Sequence, residues 1–139
     1  MKTVIYEGIF FDGLSFAGRL PKKVAYKHLT TAFRPSTASS HLYGEQVAVL
    51  VTGYGNDGDN EGYKVVFIDG SEEIKRKIEN LPVPHITLST SLSGKPVNTA
   101  KLSFDESYFD DYPYDFVLYG KFGGFVSENG GPAHPYFGD

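Results

Sequence analysis

Two short runs carry the residue types of acid/base chemistry: Lys27-His28-Leu29-Thr30 and Pro84-His85-Ile86-Thr87. Each sets an imidazole, an aliphatic residue and a hydroxyl in succession. Imidazole titrates near pH ~6.5, so it can take or give a proton under neutral conditions. A hydroxyl two places on can donate a hydrogen bond to an oxygen that gains negative charge. One His in a strand is more often a packed or surface residue than a catalyst, and Thr is common in strands. Repetition changes the odds: with eight Thr in 139 residues, finding Thr two places after two of the four His is roughly a 2% event by chance.

Both runs lie in segments whose composition predicts strands. Side chains alternate faces along a strand, so His28 and Thr30 project together while Leu29 turns to the other side; the same parity joins His85 to Thr87 and turns Ile86 away. Imidazole and hydroxyl are then roughly 6 to 7 Å apart along the strand, a spacing that suits a phosphate. Two such strands side by side would bracket a phosphodiester, one imidazole acting as general base toward water or a ribose hydroxyl and the other as general acid toward the leaving oxygen. The residues leave open which imidazole takes which role. Thr30 and Thr87 would hold non-bridging oxygens, and neither need be a nucleophile. His41, in a Ser/Thr-rich stretch, and His134, in a Gly/Pro-rich tail, do not repeat the pattern and suit exposed or capping roles.

The elements that must position these residues are mainly strands. Runs of β-branched and aromatic residues predict them near Thr3–Phe10, Ala25–Phe33, Gln46–Tyr54, Gly62–Ile68, Pro84–Ser89, Thr99–Phe104 and Phe116–Phe125. One helix is expected over Ser71–Asn80, where Ile74, Ile78 and Leu81 recur at helical spacing, with Asp69 or Ser71 as cap and Pro82 as stop. Phe11–Lys23 reads as a second helix or an irregular crossover, because Gly13, Gly18 and Pro21 interrupt it. The polar run Gly55–Glu61 reads as a hairpin tip. Its acidic spacing echoes a calcium loop, but Ile68 stands at the twelfth position, where a bidentate Glu belongs. Residues Ser127–Asp139 are expected to be an extended or flexible tail.

The length suits a single domain over residues 1–139, α+β in class and mainly antiparallel sheet. A net charge of −4 lacks the basic surplus that holds proteins on long nucleic acids, and favours a small nucleotide or short RNA end as partner over long duplex. The absence of Cys removes disulfides, thiolate metal sites and a Cys nucleophile. No metal and no cofactor is expected. Lys2, Glu7 and Gly8 break up the apolar N-terminus, and no run nears the roughly 18 apolar residues that span a bilayer, so a cytoplasmic location is expected and no membrane partner.

In motif order and strand placement the chain resembles the two-histidine phosphoesterase superfamily, which includes LigT-like and Swiss-army-knife RNA-repair-like proteins. The resemblance rests on His28-Leu29-Thr30 and His85-Ile86-Thr87. It implies a bilobal fold in which two related sheet lobes, with few helices, each bring one motif to a central cleft, without a metal. It also implies substrates such as 2′,3′-cyclic phosphates, 2′-5′ linked oligonucleotides or cyclic nucleotide second messengers. Some small phage-encoded relatives destroy such messengers and suppress host immune signalling, which would put the protein in the host cytoplasm. The chain is compact for that group, which favours a small cyclic nucleotide over RNA-end repair.

Arg34 shares strand parity with His28, if the strand stays regular, and is the expected phosphate ligand; Lys27 points with Leu29. The aromatic stretch Tyr108, Phe109, Tyr112, Tyr114 and Phe116 could cover a cleft, and Tyr112 is the candidate for stacking a base. Two readings of other classes compete: a module that sequesters a nucleotide without cleaving it, and a β-rich interaction protein in which the repeat is accidental.

Overall fold

The computed structural model describes residues 1–14, 18–106 and 116–138. Its elements in chain order are β1 (Lys2–Phe11), β2 (Lys22–Lys23), β3 (His28–Phe33), β4 (Gln46–Asn56), β5 (Asn60–Asp69), α1 (Glu72–Glu79), β6 (His85–Thr90), β7 (Val117–Glu128) and β8 (His134–Tyr136), with 3₁₀ turns at Asp12–Leu14, Ser40–Leu42 and Pro96–Lys101. It is sheet-rich α+β, as expected. The strands run antiparallel in the order β2-β6-β5-β4-β7-β1-β3. β8 pairs with Gly124–Val126 of β7, beyond the stretch of β7 that β4 occupies.

This order puts the two motif strands near opposite ends of the sheet, yet the chain forbids them to be far apart. β2 sits on β6 at one end, and β3 sits on β1 at the other. Only residues 24–27 separate them, and a chain spans at most ~3.6 Å per residue, so Lys23 and His28 lie within ~18 Å. The sheet must curl. The link is pinned at both ends, with the Val24 amide donating to the Leu88 carbonyl (3.1 Å) and the Phe11 amide to the Lys27 carbonyl (3.0 Å). β3 and β6 consequently touch.

The apolar core includes Ile9, Leu29, Val47, Val49, Val51, Val65, Ile86, Leu88 and Phe122. Leu29 and Ile86, the middle residues of the two motifs, are fully buried, each contributing about 1.5–3 kcal/mol of burial. α1 adds Ile74 and Ile78 to this core and keeps its charges outside. Its N-cap is Ser71, whose side chain accepts from the Ile74 amide at 3.3 Å. Ser71→Ala should therefore cost ~1 kcal/mol in a denaturant melt, with the slope of the transition unchanged.

Two expectations about elements need correction, and a third is narrowed. Thr99–Phe104 is not a strand: Pro96–Lys101 forms a 3₁₀ helix, where Pro at its first position has no amide to give a sheet and Thr99 is drawn fully inside. Leu102 closes that helix, and Asp105 pairs with Tyr54 as an isolated bridge. Ala25–Phe33 becomes strand only at His28, because the preceding residues make the crossing between sheet ends. Of the two readings of Phe11–Lys23, the described residues fit the irregular crossover: a 3₁₀ turn at Asp12–Leu14, no regular element over residues 18–21, and the two residues of β2. The hairpin tip is where the sequence placed it. Asp57 accepts from the Asp59 and Asn60 amides (2.9 and 2.8 Å), so its carboxylate serves the turn.

Candidate functional site

Register explains how the motifs are presented. On β1, Phe10, Gly8 and Tyr6 share one face and pair with His28, Thr30 and Phe33; Thr31 is an extra residue, a bulge opposite the Glu7/Gly8 junction. On β5, Lys64, Gly62 and Asn60 pair with His85, Thr87 and Thr90; Leu88 is the extra residue, opposite Glu61/Gly62. In both halves the bulge follows the motif Thr immediately, and a Glu-Gly pair stands across from it. Each Gly lets the motif strand come close: a Cβ on Gly8 would lie 2.1 Å from the Leu29 carbonyl oxygen, and one on Gly62 would lie 2.6 Å from that of Ile86. Each Glu is buried. Glu7 accepts from the Ser39 amide (2.8 Å) and the Tyr43 hydroxyl (2.7 Å). Glu61 accepts from the Arg19 amide (2.8 Å), the Ser89 hydroxyl (2.8 Å) and the Tyr54 hydroxyl.

Curling brings both motifs to one cavity of about 670 Å³, lined by Tyr6, His28, Thr30, Phe33, His85, Thr87, Pro96, Val97 and Ala100. That volume falls within the range of small-molecule sites. The two imidazoles are held alike. Nδ1 of His28 is 2.7 Å from the Tyr26 carbonyl, and Nδ1 of His85 is 2.7 Å from the Val83 carbonyl. A carbonyl only accepts, so each Nδ1 carries the proton, and the neutral ring keeps its lone pair on Nε2.

Beyond this the two motifs differ. Tyr6 stacks on His28 with ring centroids 4.5 Å apart, and its hydroxyl is 3.3 Å from Nδ1. Phe10 flanks the same imidazole at 5.7 Å. Burial among these rings pushes the His28 pKa below its ordinary value; the bond to the Tyr26 carbonyl opposes this, and nearby His85 adds to it. Stability should follow. An imidazole whose folded pKa is depressed binds fewer protons folded than unfolded, so its share of stability is present above pH ~6.5 and is lost as pH falls through the folded value. Thermal melts below pH ~6.5 should show the native protein losing stability more steeply than His28→Asn; parallel curves would show that the ring is not desolvated.

The threonines differ too. Among the described residues the Thr30 hydroxyl has no hydrogen-bond partner. Thr87 is nearly covered, its Oγ1 lying 3.2 Å from the Pro96 carbonyl and 2.8 Å from Thr99 Oγ1. Both hydroxyls were expected to hold non-bridging oxygens; they differ because the 3₁₀ helix packs on β6 and β5 and covers Thr87.

Arg34 does not line the cavity. The bulge at Thr31 shifts parity, so Phe33 takes the cavity face, and Arg34 leaves the strand with φ of 45° and its guanidinium 5.4 Å from the Phe33 ring. Lys27 is buried with its amine bonded to the Val24 carbonyl, away from the motif face. Tyr112 lies outside the described residues, as do Tyr108, Phe109 and Tyr114; Phe116 is partly exposed. His41 pairs with Glu73 at 3.0 Å on the surface, and His134 sits in β8. Among the described residues, no three His, Cys, Asp or Glu side chains gather as metal ligands, and no helix is long and apolar enough to cross a membrane.

Tyr6, Phe33, Pro96, Val97 and Ala100 were not singled out from the sequence. One signal was there to be read: Glu-Gly precedes His-x-Thr twice, at Glu7-Gly8 and Glu61-Gly62. No protein-family model matches this sequence, and no curated protein sequence matches it.

Proposed function

We propose that the protein is a metal-independent phosphodiesterase that hydrolyses a small nucleotide, a cyclic nucleotide or cyclic oligonucleotide messenger in the first instance, with His28 as base and His85 as acid. One arrangement supports the reading: two imidazoles on separate strands line one cavity, each anchored through Nδ1 so that Nε2 is the nitrogen left to react. The depressed pKa of His28 keeps it unprotonated near neutrality, which suits a base. Its Nε2 takes a proton from water as the water oxygen bonds to phosphorus. The bond from phosphorus to the leaving oxygen breaks, and that oxygen takes the Nε2 proton of doubly protonated His85. Thr30 donates to a non-bridging oxygen. The like placement of the motifs in the two halves of the sheet fits a bilobal two-histidine phosphoesterase-like fold, and the reading places the protein in the cytoplasm with its substrate. Cyclic phosphate ends of RNA are the second substrate class.

One observation favours a rival reading, in which a nucleotide is sequestered intact. None of the nine described lining residues is Lys or Arg, so among the described residues phosphate charge is met there by hydroxyls and imidazoles. Product formation separates the two. Chromatography of 2′,3′-cyclic mononucleotides, 2′-5′ oligoadenylates and cyclic di- and trinucleotides after incubation with the protein and a chelator should reveal a cleaved product. Tight binding with no product in any sample would establish sequestration, and activity abolished by chelator would remove the metal-free mechanism.

A further inference from the structure

The two halves of the sheet do not offer the cavity the same donors. On β6 the Thr87 hydroxyl commits its one proton inward, donating to Thr99 Oγ1 (2.8 Å) with the Pro96 carbonyl as a second acceptor (3.2 Å). While those bonds hold, it has no proton for a phosphate oxygen. Asn60, the residue before Glu61-Gly62, is turned inward as well: it is almost fully buried, and its Nδ2 donates to the Lys95 carbonyl (2.6 Å) and to Thr99 Oγ1 (3.0 Å). The equivalent residue before Glu7-Gly8 is Tyr6, and it lines the cavity. Register makes the two equivalent, since Tyr6 pairs with Phe33 and Asn60 with Thr90, each three places beyond its motif Thr.

Tyr6 reaches the imidazole over a gap in its own strand. Gly8 stands between Tyr6 and Phe10 on the same face of β1 and has no side chain, so the Tyr6 ring lies against His28 at 4.5 Å, with Phe125 stacked on it at 5.0 Å. Among the described residues its hydroxyl has one polar neighbour, His28 Nδ1 at 3.3 Å. That nitrogen carries a proton, donated to the Tyr26 carbonyl at 2.7 Å, and has no lone pair to accept another. The phenol proton is therefore uncommitted among the described residues. Burial pushes the phenol pKa up, so that proton is present throughout the neutral range.

We propose that Tyr6 is a catalytic residue: its phenol donates to one non-bridging phosphate oxygen and Thr30 to the other, so that both oxygens are held from the His28 side of the cavity. The Tyr6 hydroxyl lies beside the imidazole whose Nε2 activates the water, and the phosphorus that this water attacks presents its oxygens to the phenol. A donor fixed in place before reaction stabilises the charge that develops on such an oxygen. With no Lys or Arg among the described lining residues, that neutral donor carries more of the task.

The inference rests on the phosphodiesterase reading, and the two fail separately. Tyr6→Phe removes the oxygen and keeps the ring that covers His28. On the substrate cleaved by the native protein, Tyr6→Phe should lower kcat ~10²-fold with KM changed little. The acid limb of kcat/KM should stay where the native protein has it, because the ring that buries His28 is retained; a merely structural Tyr6, acting through His28, would move that limb. Inorganic phosphate, titrated while the tyrosine ring carbons bearing the hydroxyls (Cζ) are followed by NMR, gives a readout that needs neither turnover nor a variant. The Tyr6 signal, identified by its contact with the His28 ring, should shift and saturate with phosphate, and Tyr6→Phe should weaken phosphate binding several-fold. If the native protein cleaves nothing yet phosphate shifts that signal, the phosphodiesterase reading falls and Tyr6 stands as a phosphate ligand. Native-like kcat in a folded Tyr6→Phe, a loss of kcat accompanied by a displaced acid limb, or a Tyr6 signal that phosphate leaves unmoved would each overturn the assignment. Should Tyr6→Phe not fold, the titration of the native protein decides alone.

Discussion

His28→Ala and His85→Ala should each lower kcat on the cleaved nucleotide ~10²- to 10⁴-fold, the usual worth of a positioned acid or base. The double variant should be little slower than the worse single one, because the two rings serve one displacement and act as a unit. Binding should survive, since the apolar walls of Tyr6, Phe33, Pro96, Val97 and Ala100 are untouched. The pH profile carries the sign of the assignment. With the His28 pKa held down by burial, the acid limb of kcat/KM belongs below pH ~6.5, where the base finally takes a proton. Single variants that retain more than a tenth of native turnover, or an acid limb well above neutrality, would remove His28 as the base.

The second large effect concerns the glycines opposite the motifs. Gly8→Ala and Gly62→Ala should each cost ~3 kcal/mol, at the upper end of overpacking penalties, and lower Tm by ~10 °C. The new methyl at Gly8 meets backbone, the Leu29 carbonyl at 2.1 Å, and at Gly62 it meets both the Ile86 carbonyl at 2.6 Å and Thr99 Cγ2 at 2.4 Å. Neither neighbour can swing aside, so the motif strand has to retreat from its partner. Gly13→Ala is the control, with nothing among the described residues within 4 Å of its added Cβ, and it should stay within ~0.5 kcal/mol of the native protein. Equal stability among the three variants would show that the close approach is not required.

Much of the scaffold was legible because it depends on local order. Alternation along His28–Thr30 and His85–Thr87 put Leu29 and Ile86 in the core, and the 3.6-residue spacing of Ile74 and Ile78 marked α1. Asn, Asp and Gly marked the tip between β4 and β5. Thr99–Phe104 misled because Val97, Thr99 and Leu102 have strand-like side chains, while what wraps the segment into a 3₁₀ helix is Pro96 and the buried bonds of Thr99 to β6 and β5. Arg34 misled for a related reason. A parity argument is sound until one residue is inserted, and the bulge at Thr31 arises from pairing with β1, which the β3 sequence does not record.

Spacing and residue type alone therefore determined which groups face together on each strand: an imidazole with a hydroxyl, twice, over an aliphatic residue turned inward. That follows from a strand's two-residue period and needs no knowledge of its neighbours. Only tertiary structure decided that the two strands share a cavity, that Phe33 and not Arg34 completes it, and that the two threonines are unequal. Those outcomes depend on the order of strands in a curled sheet and on one 3₁₀ helix packed against one half of it, contacts between residues far apart in the chain that no local pattern encodes.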